Sequence, residues 1–164
     1  MSFTNAQGHN FLSKDDYGSS VHIVSFYQQN IARVLVDYQK KVFDKFEVPL
    51  NQVLTEIHDH GAAIDDYLSA KPGWQFLILF DIDCIPLHAS FLAQIFNYIA
   101  QGDTLFGVAQ QAQHYPHRHV YAGPACMGLS RQLYESLGCP SFTATSRGDV
   151  GEELTYLAEE NGYQ

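Results

Sequence analysis

Two aspartates separated by one residue, Asp81 and Asp83, follow directly on the apolar run WQFLILF at residues 74–80. A carboxylate that leaves water must be paired or bound to a metal, because an isolated buried charge is strongly destabilising. If the run is a strand that continues through Asp83, side-chain alternation places both carboxylates on one side, with Ile82 opposed. Two such carboxylates repel each other, and Mg2+ or Mn2+, which prefer hard oxygen ligands, would relieve that repulsion. The alternative is that the pair caps the next helix or forms surface salt bridges.

Histidine is the second residue type that could do chemistry, with eight in the chain. Two clusters stand out, HDH at residues 58–60 and HYPHRHV at residues 114–120. Imidazoles at this spacing in a loop could bind zinc or another transition metal. Solvated loop histidines are the more common outcome. An intermediate hypothesis is that His117 and His119 complete a metal site formed by the aspartates or contact phosphate.

The overall charge is acidic, since nine Lys and Arg oppose eighteen Asp and Glu and give a formal net charge of −9. Nucleic-acid backbone binding is therefore disfavoured, because it depends on clustered cations and the chain has no basic run. Arg118 and Arg131 could pair with a diphosphate, although such residues more often form ordinary surface ion pairs.

Length and composition predict one globular domain, because 164 residues with 46% hydrophobic content can bury a sizeable core. No window reaches the roughly 18 consecutive apolar residues of a membrane span, and the polar start lacks the blocks of a signal peptide. The three cysteines are widely spaced and predict reduced thiols rather than a disulfide framework. Together these features favour a cytoplasmic protein without a membrane span.

The elements that would position the aspartates alternate between strand and helix along the chain. Such alternation predicts an α/β fold with a mostly parallel sheet, in which ligands bind beyond the carboxyl ends of the strands. Residues 1–20 are polar and predict a loose arm, and residues 21–164 form the single domain. The predicted strands are 21–27, 50–57, 74–83, 105–113 and part of 114–130. The predicted helices are 31–46, 61–70, 89–102, 130–138 and 151–163.

The strand WQFLILFDID resembles the D-x-D strand of nucleotide-sugar-dependent glycosyltransferases of the GT-A fold, in particular the family-2 type. The resemblance covers roughly residues 21–163. It implies a Rossmann-like three-layer sandwich and a divalent metal, Mn2+ or Mg2+, that bridges the diphosphate of the donor. Asp83 would bind chiefly the metal, and Asp81 the ribose or the waters of the metal. The donor implied is a UDP- or GDP-linked sugar, and the acceptor a carbohydrate or another molecule.

Other segments resemble the same family by order and spacing. VHIVSFYQQN is similar to the opening strand and nucleotide-binding loop, which makes Ser25, Phe26 and Tyr27 candidates for holding the base and ribose. HGAAID at residues 60–65 resembles the glycine-bearing start of the helix before the D-x-D strand, and implies that Asp65 lies near the nucleotide. VYAGPACMGLSRQLYESLGCPSF resembles the acceptor-side segment.

The segment GDVGEELTYLAEENGY is similar to the acidic motif that supplies the catalytic base in inverting members. The family has Glu-Asp where this chain has Glu152-Glu153, so Asp149, Glu152 and Glu153 are all candidates. A base near the acceptor hydroxyl would take its proton while the sugar is attacked in line. A retaining reaction is an open alternative.

The chain ends at Gln164, where the family continues into a further strand, a helix and often a metal-binding His. This chain is therefore expected to be a minimal or C-terminally shortened member. An uncovered sheet edge there could be covered by another subunit in a homo-oligomer. The leading hypothesis is a metal-dependent glycosyltransferase. The alternatives are a catalytically inactive binding or assembly module and, less favoured, a His-rich zinc-binding protein.

Overall fold

The structure is a computed structural model, and it describes residues 3–4, 10–12, 19–88, 90–112, 116 and 118–163. Two short strands near the start, β1 (Phe3–Thr4) and β2 (Asn10–Leu12), pair antiparallel with each other. The prediction of a loose arm over residues 1–20 falls largely on residues outside those described. No helix in the described ranges is long and apolar enough to cross a bilayer.

A five-stranded sheet forms the centre of the domain, in the order β4-β3-β5-β7-β6. Strands β4 and β5 both pair parallel with β3, whereas β7 runs antiparallel to β5 and to β6. Four of the five strands therefore point the same way, which confirms the predicted mostly parallel α/β sheet. The strands are β3 (Val21–Tyr27), β4 (Asn51–Leu54), β5 (Phe76–Phe80), β6 (Phe106–Gln111) and β7 (Val120–Ser130).

Helices cover both faces of this sheet and give a three-layer sandwich. Alternation along each strand divides the apolar side chains between two cores. One core joins Val24 and Leu79 of the sheet to α2, α4 and α5, and the other joins Ile23 and Ile78 to α1 and α3. The helices are α1 (Arg33–Lys45), α2 (His60–Ser69), α3 (Phe91–Ile99), α4 (Arg131–Ser136) and α5 (Glu152–Glu160).

The middle strand, β5, ends earlier than its sequence predicts. Its most buried residues continue to Phe80, and Asp81 then donates its N–H to Ala125 O on β7 at 3.0 Å. The chain turns at once, because Cys84 N donates back to Asp81 O at 2.9 Å. The prediction of a strand through Asp83 is therefore wrong. Strand alternation does not apply to Asp81 and Asp83, whose side chains are oriented by a turn.

The second parallel strand is also shorter than predicted. The prediction covered residues 50–57, but β4 ends at Leu54. Thr55 N still donates to Tyr27 O at 2.9 Å, and the chain then leaves the sheet towards α2. The segment 55–57 therefore lies at the carboxyl edge of the sheet, beside the turn that follows β5.

Candidate functional site

The carboxyl ends of the three adjacent parallel strands β4, β3 and β5 meet at a cleft of about 330 Å3. Loops that leave parallel strands at this edge commonly form ligand sites. The cleft is lined by side chains from all three strand ends and from the start of α2, among them Phe26, Tyr27, Thr55, Ile57, His60 and Asp81. Asp83 lines it as well. The turn after β5 therefore brings both aspartates to one cavity.

The two carboxylates differ in their surroundings. The side chain of Asp81 is 35% exposed and its Oδ1 lies 3.8 Å from Nδ1 of His60, whereas Asp83 is exposed to solvent. Partial burial raises the pKa of Asp81 above the usual range, and the charge of Asp83 raises that pKa further, while His60 acts in the opposite direction. The site therefore disfavours a second negative charge, and a bound cation would relieve this penalty.

Two aromatic side chains line the cleft beside the carboxylates. The Phe26 ring packs edge-to-face against the His60 ring, with 6.1 Å between centroids, and Tyr27 lines the same cleft. Both are placed where a planar base could bind. Ser25 is placed otherwise, because it is fully buried and strand alternation directs it to the face of the sheet that α1 and α3 cover. Its hydroxyl has no hydrogen-bond partner in the described part of the chain.

Beneath the turn lies a buried side chain that the sequence analysis missed. Gln39 on α1 is 1% exposed, and its Nε2 donates to Asp81 O at 2.7 Å and to Cys84 O at 3.0 Å. The signal in the sequence is its spacing, because it lies three residues after Val36 and four before Phe43, both buried on the same helix. A polar residue in an apolar stripe must have partners.

The candidate bases lie around the start of α5. Glu152 is fully buried, with Oε2 accepting from Asp149 N at 2.8 Å and Oε1 lying 2.9 Å from Nδ1 of His119. Asp149 is half-buried, and its Oδ1 accepts from Val150 N at 2.8 Å. Of these two carboxylates, only that of Asp149 is accessible to a ligand.

Glu153, the third candidate base, is held in an ion pair. Arg147 donates to both of its carboxylate oxygens, through NH2 at 2.7 Å and Nε at 3.0 Å. The hydrogen bond from Arg147 holds the pKa of Glu153 below its usual range. The guanidinium also stacks over Tyr156 and bonds Glu160 at 2.6 Å. The carboxylate of Glu153 therefore holds the loop before α5 in place.

A buried tyrosine links the two groups of carboxylates. Tyr121 on β7 is 6% exposed and hydrogen-bonds with Asp149. Burial raises the pKa of Tyr121 to about 12, and the charges of Asp149, Glu152 and Asp81 add to the effect. The phenol is therefore protonated at neutral pH and lies between the start of α5 and the turn after β5.

Two further predicted ligand-binding residues are not brought to the cleft. Asp65 and Arg131 line a second cavity on the α2 and α4 side of the sheet. The Asp65 carboxylate accepts from Ser141 Oγ at 2.5 Å and from Phe142 N at 3.0 Å, which ties α2 to the segment after α4. Arg131 donates to Glu135 at 2.6 Å and to the carbonyl of Pro72.

Of the two predicted histidine ligands, only His119 can be placed, and it lies against α5. His117 lies outside the described residues. Both ring nitrogens of His119 lie beside carboxylates, Nδ1 at 2.9 Å from Glu152 and Nε2 at 3.2 Å from Glu159, and the ring stacks on Tyr156. In the ranges that the structure describes, no group of three or more His, Cys, Asp or Glu side chains is arranged to hold a metal.

The carboxylates present fit a divalent cation whose remaining coordination positions are filled by water and by a substrate. Mg2+ and related ions are commonly held by one or two carboxylates, with waters and substrate phosphates filling the remaining positions. Asp81 and Asp83 supply that number of carboxylates on the wall of an open cleft. Burial and the charge of Asp83 disfavour the ionised form of Asp81, which is consistent with a role in binding a cation.

A solved structure of a known protein shares this fold. A mannosyltransferase, PcManGT from Pyrobaculum calidifontis in complex with GDP-Man and Mn2+, matches with a TM-score of 0.63 and 14% identity, over 90% of this chain and 54% of that one. This chain thus spans about half the length of that protein. The chain described here has a glycosyltransferase-like α/β fold.

Two weaker similarities carry no further conclusion. They are a glycosyltransferase involved in the glycosylation of the major capsid of PBCV-1 (TM-score 0.48, 10% identity, 71% of this chain and 62% of that one) and A197 from STIV (TM-score 0.49, 15% identity, 87% and 78%). No protein-family model matches the sequence, and no curated protein sequence matches it significantly.

Proposed function

We propose that this protein is a glycosyltransferase of the GT-A type, which transfers a sugar from a nucleoside-diphosphate donor with the help of Mn2+ or Mg2+. The observation that carries the proposal is the turn at Asp81–Asp83. It opens two carboxylates into a cleft at the carboxyl ends of three parallel strands, on a glycosyltransferase-like fold.

The donor would bind along the cleft, with its base and ribose against Phe26 and Tyr27 and its diphosphate towards Asp83. Aromatic side chains contribute a large apolar contact area to such a base. A GDP- or UDP-linked sugar is the proposed donor, and the GDP-Man complex of the matching mannosyltransferase supports the guanine form. Asp81 and Asp83 would hold the divalent cation, which, when bound, supplies charge neutralisation to the departing nucleoside diphosphate.

Asp149 is the proposed base. Glu152 is fully buried and Glu153 is paired with Arg147, whereas Asp149 is half-buried and its backbone N–H is fixed by Glu152. A general base must lie within hydrogen-bond reach of the hydroxyl whose proton it takes, so an accessible and immobilised carboxylate suits the role. Tyr121 hydrogen-bonds with Asp149, and the charge of Asp81 contributes to the raised pKa of its phenol. Tyr121 would therefore hold the base at a set distance from the donor.

A catalytically inactive binding module is the second candidate. The observation that favours it is the engagement of Glu152 with His119 and of Glu153 with Arg147, which leaves the proposed chemistry to Asp149 alone. In such a module the same cleft would bind the donor without turning it over.

Turnover separates these two functions. Purified protein is incubated with GDP- and UDP-linked sugars and Mn2+, and release of free nucleoside diphosphate is followed over time. If the protein is an enzyme, free nucleoside diphosphate should be released, and this release should be lost in Asp83→Ala and in Asp149→Asn. Binding of the nucleotide without release, in the presence of candidate acceptors, would favour the binding module. Absence of both binding and release would reject the proposed function.

A further inference from the structure

A buried amide lies directly beneath the carboxylate turn. Gln39 occupies the apolar side of α1 between Val36 and Phe43 and is 1% exposed. An amide buried without hydrogen bonds destabilises a protein, so its presence in the core requires compensating partners. Those partners identify what the side chain does.

The hydrogen bonds of Gln39 converge on the turn after β5. Its Nε2 donates to Asp81 O at 2.7 Å and to Cys84 O at 3.0 Å, the first and last carbonyls of the turn. Its Oε1 accepts from Nε2 of Gln52 at 3.0 Å, and the same Gln52 nitrogen donates to Val36 O at 2.8 Å. Both N–H groups of the amide are therefore used on the turn, and the oxygen is held by β4.

This arrangement does more than satisfy a buried group. Asp81 keeps one bond to the sheet, from its N–H to Ala125 O, but Ile82 and Asp83 lie beyond the end of β5 and are not fixed by the strand. One backbone bond, from Cys84 N to Asp81 O, closes the turn on itself. Gln39 then anchors both ends of that turn to α1, from inside the protein, without occupying the cleft.

We propose that Gln39 is a positioning residue for the divalent-cation and diphosphate site, and that it holds the Asp81–Cys84 turn so that both carboxylates face the cleft. This rests on the proposed function. The chemistry requires two N–H donors on one rigid planar group, which an amide has and a thioether or an aliphatic side chain lacks. Outer-sphere partners of this kind typically change metal affinity by about 10- to 100-fold when they are removed.

The test compares Mn2+ affinity in the presence of saturating GDP or UDP for the unaltered protein and for Gln39→Met, which keeps volume and removes both donors. The expected result is a loss of at least about 10-fold in Mn2+ affinity, with nucleotide affinity in EDTA changed by less than about 3-fold. Gln52→Met is the matched control. It removes the partner of the amide oxygen but leaves the two donors on the turn, and should weaken Mn2+ binding by less than about 3-fold.

Hydrogen exchange supplies a readout independent of ligands. In Gln39→Met, or in Gln39→Leu if the first variant does not fold, amides of residues 81–85 should exchange at least about 10-fold faster while those of β3 and β5 stay protected. Unchanged exchange in the turn together with unchanged Mn2+ affinity would overturn the proposal. So would a uniform loss of protection, with Mn2+ and nucleotide affinity falling together, because it marks a purely structural role.

The two proposals fail differently. If the unaltered protein binds no nucleotide with Mn2+, the proposed function is rejected. The amide exchange rates of residues 81–85 then still decide whether Gln39 holds the turn.

Discussion

The Nδ1 atom of His60 lies 3.8 Å from Oδ1 of Asp81, so the first residue of α2 faces the first residue after β5 across the cleft. The imidazole partly offsets the negative charge of the two aspartates, but burial and Asp83 still leave the pKa of Asp81 raised. Burial and charge at the cleft therefore disfavour the ionised form of Asp81, and a cation bound there would relieve that penalty.

Replacing Asp81 should stabilise the ligand-free protein. Because the pKa of Asp81 is raised on folding, its charged form opposes folding, and this penalty is fully present above the raised pKa and disappears as the pH falls through it. Asp81→Asn should therefore unfold at a higher temperature than the unaltered protein at pH 7. The gain should shrink as the pH is lowered towards 4. Thermal unfolding in EDTA across that range measures it.

The exposed Asp103 provides a matched control, since it lies on the loop before β6 and away from the cleft. Asp103→Asn should leave the unfolding temperature nearly unchanged. An unfolding temperature of Asp81→Asn below that of the unaltered protein at every pH would show that the carboxylate stabilises the ligand-free turn.

The two acidic residues at the start of α5 should separate chemistry from stability. Asp149→Asn keeps the shape of an accessible side chain and should lower turnover by about 100-fold or more while leaving the unfolding temperature and donor binding unchanged. Glu152→Gln puts an amide against Asp149 N and His119, and should destabilise the protein by about 1–3 kcal/mol. Urea unfolding and donor-release assays on both variants give the comparison. The assignment would be contradicted if Asp149→Asn retained full turnover.

Local patterns were sufficient to predict the elements of the sheet and the edge at which the aspartates lie. Apolar runs of strand length alternating with amphipathic helices determine β3, α1 and α5 with small shifts at their ends, and they locate β5, although that strand is shorter than predicted. The details of the site depend on contacts between distant residues, which spacing along the chain does not reveal. The turn after β5 is set by two hydrogen bonds of Asp81. Its N–H donates to the carbonyl of Ala125 on β7, and its carbonyl accepts from the amide of Gln39 on α1.

The same reasoning explains the residues whose placement differed from expectation. Asp65 is engaged by Ser141 and Phe142, which are far away in sequence. Ser25 is directed away from the cleft by the alternation of its own strand, which the sequence could have indicated. The buried carboxylate of Glu152 lies against Nδ1 of His119, from the segment before β7, and spacing along the chain does not reveal this contact.

Gly61 should tolerate no side chain. A Cβ at this position would lie 2.4 Å from Phe142 O and 2.6 Å from Thr143 Cα, both backbone atoms. Gly61→Ala should therefore destabilise the protein by about 1–3 kcal/mol, although alanine favours a helix by about 1 kcal/mol over glycine. Gly73→Ala is the matched control, because its Cβ would meet only Ser19 O at 3.7 Å. Equal unfolding free energies of the two variants would contradict the close contact between α2 and residues 142–143.

His22 should make the fold sensitive to mild acid. Burial lowers its pKa below the ordinary value of 6.5, and its Nδ1 lies 2.7 Å from the Tyr67 hydroxyl. The unfolded chain therefore binds the proton more readily, so stability falls as the pH drops below that value. His22→Gln should flatten the loss of unfolding free energy between about pH 7 and 5, whereas the exposed His88→Gln should not. An equally steep loss in both variants would assign the effect to another group.

The central claim is that Asp81 and Asp83 hold a divalent cation that binds the diphosphate of a nucleotide donor. The most direct measurement is thermal unfolding of the protein with GDP or UDP, each with and without Mn2+, repeated on Asp83→Asn. A ligand that binds only the folded state raises the free energy of unfolding by about 2.7 kcal/mol at 100-fold excess over Kd, and the unfolding temperature rises with it. The account predicts a stabilisation that requires both Mn2+ and one nucleoside diphosphate and is lost in Asp83→Asn. The same stabilisation with and without Mn2+, or its persistence in Asp83→Asn, would contradict the account.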